Sequence, residues 1–186
     1  MTQSAKYKVI GTRPVRHDGA DKVTGRAIYG ADVQLPGLVH GKMLRSPHAH
    51  ARIRSIDTSK AEALPGVKAV VTAKDVVDFP LDKSVMLGIQ DMRWMCRNVM
   101  AREKALFAGH PVAAVAATTE KIAAEACKLI EVEYEVLPFV IDVEEAMKPD
   151  APILHDFIKY KDKPSNIAGT LEHKLGDIGE GFAKAD

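Results

Sequence analysis

Val39-His-Gly-Lys-Met-Leu-Arg-Ser-Pro-His-Ala-His-Ala-Arg-Ile-Arg-Ser-Ile-Asp57 is the stretch on which the fold turns. Two apolar runs, Val39–Leu44 and Ala51–Ile56, flank a compact polar turn, Arg45–His50. Val39, Gly41 and Met43 alternate with His40, Lys42 and Leu44, and arginines punctuate the run that holds Ile53 and Ile56. The pattern predicts strand, hairpin-like corner, strand, with Pro47 barring helix and pushing Ser46 into extended backbone. Donors crowd the corner: Arg45, Ser46, His48 and His50. These four are the candidate contact residues, read as an interface and not as catalytic groups. An arginine fork suits carboxylates and carbonyls across an interface, and histidines beside it donate or accept according to pH. Two plainer readings stand beside that one: Ser46 and Arg45 satisfying the turn's own backbone, and His48 simply exposed.

Upstream, residues 1–25 are polar and broken by Gly11, Pro14, Gly19 and Gly25, which predicts an extended arm. Ala27–Val33 reads as a short strand ended by the Pro36-Gly37 turn. Downstream, Asp57 or Ser59 caps a short helix through Leu64, with Glu62 in capping-box spacing, and Pro65-Gly66 stops it. Val67–Thr72 is a strand by its β-branched content. Between Ala73 and Ala101 the period blurs. Met92, Met95, Cys96, Val99 and Met100 would share one helical face, which either covers the chain's own core or offers a methionine surface to a partner.

Val112–Ala117 is small and apolar throughout, as in a strand buried on both faces. Thr118 or Thr119 caps a helix over Glu120–Leu129 with an inward stripe of Ile122, Ala126 and Leu129. The period then switches to two: Ile130, Val132, Tyr134 and Val136 alternate with Glu131, Glu133 and Glu135. Asp142–Met147 reads as a short helix, and Lys159–Ser165 as a polar linker. The fold class is therefore α+β, with helices packed on one side of a mixed sheet.

The totals exclude several functions. A formal net charge of +1 with no dense Lys/Arg run gives no electrostatic footprint for nucleic acid. No apolar run approaches the length of a membrane span. Cys96 and Cys127 lie far apart in no metal-ligand spacing, which reads as reduced thiols in a cytoplasmic protein. Glu131, Glu133 and Glu135 lack further ligands beside them and read as a solvated face; His48 and His50 lack a third metal ligand. Gly176, Gly179 and Gly181 have the wrong order for a phosphate-binding loop, and no nucleophile elbow is present. By chemistry alone the chain displays no active site: catalytic, cofactor-binding and metal residues are none.

Six stretches in order resemble one family. Arg16-His-Asp-Gly-Ala-Asp-Lys-Val-Thr-Gly-Arg-Ala-Ile-Tyr29 resembles the entry of the molybdenum hydroxylase large subunit. Pro36-Gly-Leu-Val-His40 with Leu44-Arg-Ser-Pro-His-Ala-His-Ala-Arg-Ile53 is similar to its early signature. Leu64-Pro-Gly-Val67, Gly109-His-Pro-Val-Ala-Ala-Val-Ala116, Val132-Glu-Tyr-Glu-Val-Leu-Pro138, and Gly176-Asp177 with Phe182-Ala-Lys-Ala-Asp186 follow. The family includes xanthine dehydrogenases, aldehyde oxidoreductases (the aldehyde oxidase group), aerobic carbon monoxide dehydrogenases and hydroxybenzoyl-CoA reductases.

The resemblance implies an α/β hammerhead domain of the molybdopterin-binding subunit over residues 26–158. It implies an N-terminal arm over 1–25, and a linker with the start of a molybdenum-cofactor-binding domain over 159–186. It implies a scaffold or interface role in an oxidoreductase, the chain being severed at Asp186, where related subunits continue. Molybdenum–molybdopterin would belong to the complete enzyme, with iron–sulfur clusters and FAD on partner domains or subunits and no cofactor on this stretch. Partners would be those domains and subunits, with self-association through uncovered surface. The alternative is a free-standing, non-catalytic assembly or binding module of the same fold. His110 departs from the acidic or amide residue common at its position.

Overall fold

The computed structural model describes residues 7–88 and 90–185. The chain divides into two units, Met1–Leu38 and Val39–Asp186.

In the first unit no described side chain is buried. A five-residue helix, α1 (Gly19–Val23), interrupts the stretch expected to be extended. Asp18 lies 2.6 Å from Arg16 and 2.5 Å from Lys22, and those two bonds hold its carboxyl below the usual range. The strand expected over Ala27–Val33 is not formed. Gly30–Asp32 is a single 3-10 turn, because the Asp32 carboxylate folds back to accept the Tyr29 N–H at 3.0 Å. The Pro36-Gly37 turn is present, with Gly37 at φ +78°.

The second unit contains, in chain order, β1 (His40–Arg45), β2 (Ala51–Asp57), α2 (Ser59–Glu62), β3 (Val67–Thr72), β4 (Met86–Leu87), β5 (Gln90–Asp91), α3 (Met92–Val99), β6 (Lys104–Ala105), β7 (Pro111–Ala117), α4 (Glu120–Leu129), β8 (Glu131–Val136), α5 (Val143–Ala146), β9 (Lys159–Tyr160), β10 (Lys163–Pro164) and α6 (Ile178–Ala183). Two three-stranded sheets carry the fold, ordered β1-β7-β3 and β6-β2-β8. The α+β class stands, but every pairing among the described residues is antiparallel, where a mixed sheet was expected. The reason is connectivity: β7 runs back between β1 and β3, so no parallel neighbours meet.

β7 is the central strand its composition predicts, with Val112, Ala113, Val115 and Ala117 buried. Its alanines let α4 sit close to the sheet, and Ala61, Ala113, Ala117, Ala123 and Ala126 are fully buried at that junction. Leu44, Ile56, Leu64, Val67, Ile122 and Val132 close the core around them. Burying a residue such as Val115 contributes about 1.5–3 kcal/mol. The inward stripe of α4 is Ala123, Ala126 and Cys127, rotated from the expected set; Leu129 is exposed. The helix begins where Thr119 Oγ1 accepts the Ile122 N–H at 3.2 Å.

Gly66 ends the α2 connection at φ +96°, and a Cβ there would lie 2.8 Å from Ile122 Cδ1. The segment read as a linker holds a two-residue hairpin instead: β9 and β10 turn on Lys161 and Asp162, both at positive φ.

Candidate functional site

The corner Arg45–His50 does not turn a hairpin. β1 pairs with β7 and β2 pairs with β8, so the chain crosses from one sheet to the other there. Its six residues are consequently sorted by depth. Ser46 is 2% and His50 4% exposed, whereas Arg45 and Pro47 are exposed and His48 is half-buried.

Each buried member has a partner in the chain. The Ser46 N–H donates to the His110 carbonyl at 2.9 Å, and its own carbonyl accepts the Gly109 N–H at 2.8 Å. Ser46 Oγ accepts the His48 N–H at 3.1 Å, the side-chain turn its residue type favours. His50 Nδ1 donates to the Pro138 carbonyl at 2.7 Å, and its Nε2 is buried without a partner among the described residues. Arg45 Nη1 donates to the Gly109 carbonyl at 2.8 Å. His48 meets Tyr134 edge-on, 5.0 Å between ring centres. The structure therefore brings Arg45 and Ser46 together on the Phe107–Pro111 loop and sends the two histidines to different neighbours. They do not form a pair of metal ligands.

That loop contains a residue whose environment the sequence alone does not disclose. His110 is fully buried, its Nδ1 accepting the Leu106 N–H at 3.1 Å and its ring stacked on Phe107 at 4.4 Å. The proton therefore rides on Nε2, which lies toward the Asn98 and Arg97 carbonyls at the end of α3 without closing a hydrogen bond to either. Burial holds the imidazole below its ordinary pKa, against the pull of those carbonyls.

A second cluster was also invisible in sequence. Cys96 on α3 and Met100 just beyond its end turn inward, but Val99 is exposed and Arg97 is buried in its place. Arg97 reaches Asp78 at 3.1 Å and Glu103 at 3.6 Å. Arg93 makes a paired contact with Asp91, 2.6 Å at its closest, and both arginines lie over the Phe157 ring. Beside them burial, with Lys104 and Arg97 adding to it, pushes the His155 pKa down to about 4. No spacing rule links Phe157 to residues some sixty positions earlier; the contact exists only in the fold.

Of the β8 glutamates, Glu131 is exposed and paired with Lys60, Glu133 is exposed and accepts from the Ser55 hydroxyl at 3.3 Å, and Glu135 is half-buried beside Arg54 and Arg52, so the fully solvated face expected from sequence holds only for the first two. Among the described residues no three His, Cys, Asp or Glu side chains converge as a metal site. Cys96 and Cys127 are both buried free thiols. These residues do not fit a molybdenum centre or an iron–sulfur cluster, which takes four cysteine ligands. A cleft of about 470 Å³ lies between β2 and β3 and is lined by Ile53, Ser55, Val70, Arg102 and Glu103 among others. Its charges are mixed in sign, and its hydroxyls pair with neighbouring carboxylates, Thr58 Oγ1 donating to Glu62 at 2.6 Å and Thr72 Oγ1 to Asp75 at 3.3 Å. Among the described residues no helix is long and apolar enough to cross a membrane.

A family model described as aldehyde oxidase and xanthine dehydrogenase, a/b hammerhead domain, matches residues 24–138. The chain is 43% identical to the carbon monoxide dehydrogenase large chain of Afipia carboxidovorans, over 99% of its own length and 23% of the relative's. It is 40% identical to a probable xanthine dehydrogenase subunit of Bacillus subtilis, over 92% of its length and 21% of that relative's. The solved copper- and molybdenum-containing carbon monoxide dehydrogenase in its carbon monoxide-reduced state superposes with a TM-score of 0.72 at 39% identity, over 95% of this chain and 22% of that one. The chain thus spans about a fifth of the length of these relatives. With the two-sheet fold, this places the chain in the aldehyde oxidase and xanthine dehydrogenase family, as its a/b hammerhead domain.

Proposed function

We propose that this chain is the scaffold domain of a molybdenum hydroxylase large subunit. It holds its neighbours in register and supplies no reacting group. One observation carries the reading: identity of 43% runs across 99% of the chain yet spans 23% of a carbon monoxide dehydrogenase large chain. Catalytic residues then belong to the remainder of such a subunit. Bound there, molybdenum–molybdopterin would supply oxidation or reduction of a carbon centre with water as oxygen source, electrons passing to iron–sulfur clusters and FAD on partner domains or subunits. The assembly is cytoplasmic in this reading, in keeping with two free thiols.

The corner is its contact with that assembly. Ser46 and His50 fix the backbone, and Arg45 and His48 present donors to the neighbour. Deleting this domain from the large subunit that carries it tests the role. The subunit should lose assembly with its partners and retain little cofactor. A deletion form that assembles and turns over normally would refute the scaffold reading.

A further inference from the structure

Arg45 is the one arginine of the Val39–Asp186 unit with no carboxylate partner among the described residues; Arg52, Arg54, Arg93, Arg97 and Arg102 each have one. It is not loose, because its Nη1 is tied to the Gly109 carbonyl at 2.8 Å, while its other donors have no protein partner among the described residues. Two residues before Gly109, Phe107 is 43% exposed, and one ring face is stacked on the fully buried His110. The loop that carries Phe107 is bound to the corner by two backbone bonds at Ser46, to the His110 carbonyl and from the Gly109 N–H. An exposed ring and an uncompensated guanidinium are thus set on one rigid knot of backbone. Tying both down in advance removes most of the ordering cost of a contact. Arginine and large aromatic side chains are also the residues that dominate interface energies when water is excluded around them.

We propose that Phe107 and Arg45 together form a docking point for a protein surface that offers an apolar pocket beside a carboxylate. The inference rests on the scaffold reading and names the occupant within it: the part of the large chain outside this stretch. About four-fifths of each relative's length lies outside the match, so that partner is joined to the docking point by the chain itself. Tethering raises the local concentration to the millimolar range, where a contact of two anchors suffices. His110 acquires a role in this arrangement. It is a positioning residue that presents Phe107 and whose own imidazole is sealed from the partner.

Phenylglyoxal, which modifies accessible guanidinium groups, reads the contact at one atom cluster. Labelling of Arg45 is followed by peptide mass in the 186-residue chain and in the large chain that contains it, with hydrogen exchange recorded on both. Docking slows Arg45 labelling in the large chain by about tenfold or more, the factor that 1.4 kcal/mol produces. F107A in the large chain returns Arg45 to the rate of the isolated chain, whereas F107L keeps most of the protection.

Equal Arg45 rates in both wild-type forms, with other faces of the domain protected from exchange, would overturn the docking point and leave the scaffold standing. Unchanged protection in F107A would overturn the part assigned to the ring. No protection anywhere on the domain would refute the scaffold and the docking point together. The wild-type comparison needs no variant to fold.

Discussion

Arg45 and Ser46 are neighbours in sequence and opposites in environment: one exposes its guanidinium, the other is sealed beneath the His110 carbonyl. The double variant Arg45→Ala, His48→Ala should therefore weaken assembly while shifting the isolated domain's melting free energy by less than about 1 kcal/mol, as surface changes do. Ser46→Ala, which leaves the His48 N–H without its acceptor, should cost about 1–2 kcal/mol in a urea titration.

His155 makes a pH prediction. Its folded pKa of about 4 lies below the usual 6.5, so between those values the unfolded chain binds the proton more readily. Stability is full above pH 6.5 and falls as the pH drops toward 4, by up to about 3 kcal/mol. His110 adds to the loss in the same direction. Denaturant midpoints measured from pH 7 to 4 should fall steeply in the wild type and less in His155→Gln; equal slopes would contradict the assignment. The residue types of the corner were legible from sequence. Their depths were not, because depth depends on β1 and β2 entering different sheets.

At the scale of elements, local chemistry was a reliable guide where it agreed with packing. β3 spans Val67–Thr72 and α4 spans Glu120–Leu129, both as their composition and caps predict. Failures arose where a side chain displaced the ladder or a distant element chose the face. Asp32 captures the Tyr29 N–H and removes a predicted strand. The helix face of α3 is decided by Asp78, Glu103 and Phe157, which draw Arg97 inward and leave Val99 outside. Gly66 shows how tightly α4 meets the turn before β3. Gly66→Ala adds a Cβ 2.8 Å from Ile122 and 2.9 Å from Thr118 at a positive φ. It should destabilise by about 1–3 kcal/mol through overpacking, with backbone strain added. A melting curve unchanged from wild type would mean the turn relaxes freely.

At the scale of the whole molecule, much apolar surface has no cover in this chain. Leu171, Leu175, Ile178 and Phe182 of the C-terminal segment are each at least 75% exposed, as are Val15 and Val23 in the first unit. Such surface favours self-association when its normal partners are missing. Light scattering across a concentration series should show weight-average mass rising with concentration, and a strict monomer at high concentration would count against it.

If this domain supports molybdenum chemistry without hosting it, the metal content of the purified 186-residue chain is the decisive quantity. Inductively coupled plasma mass spectrometry should find molybdenum and iron far below one atom per chain. About one molybdenum per chain would refute the scaffold role.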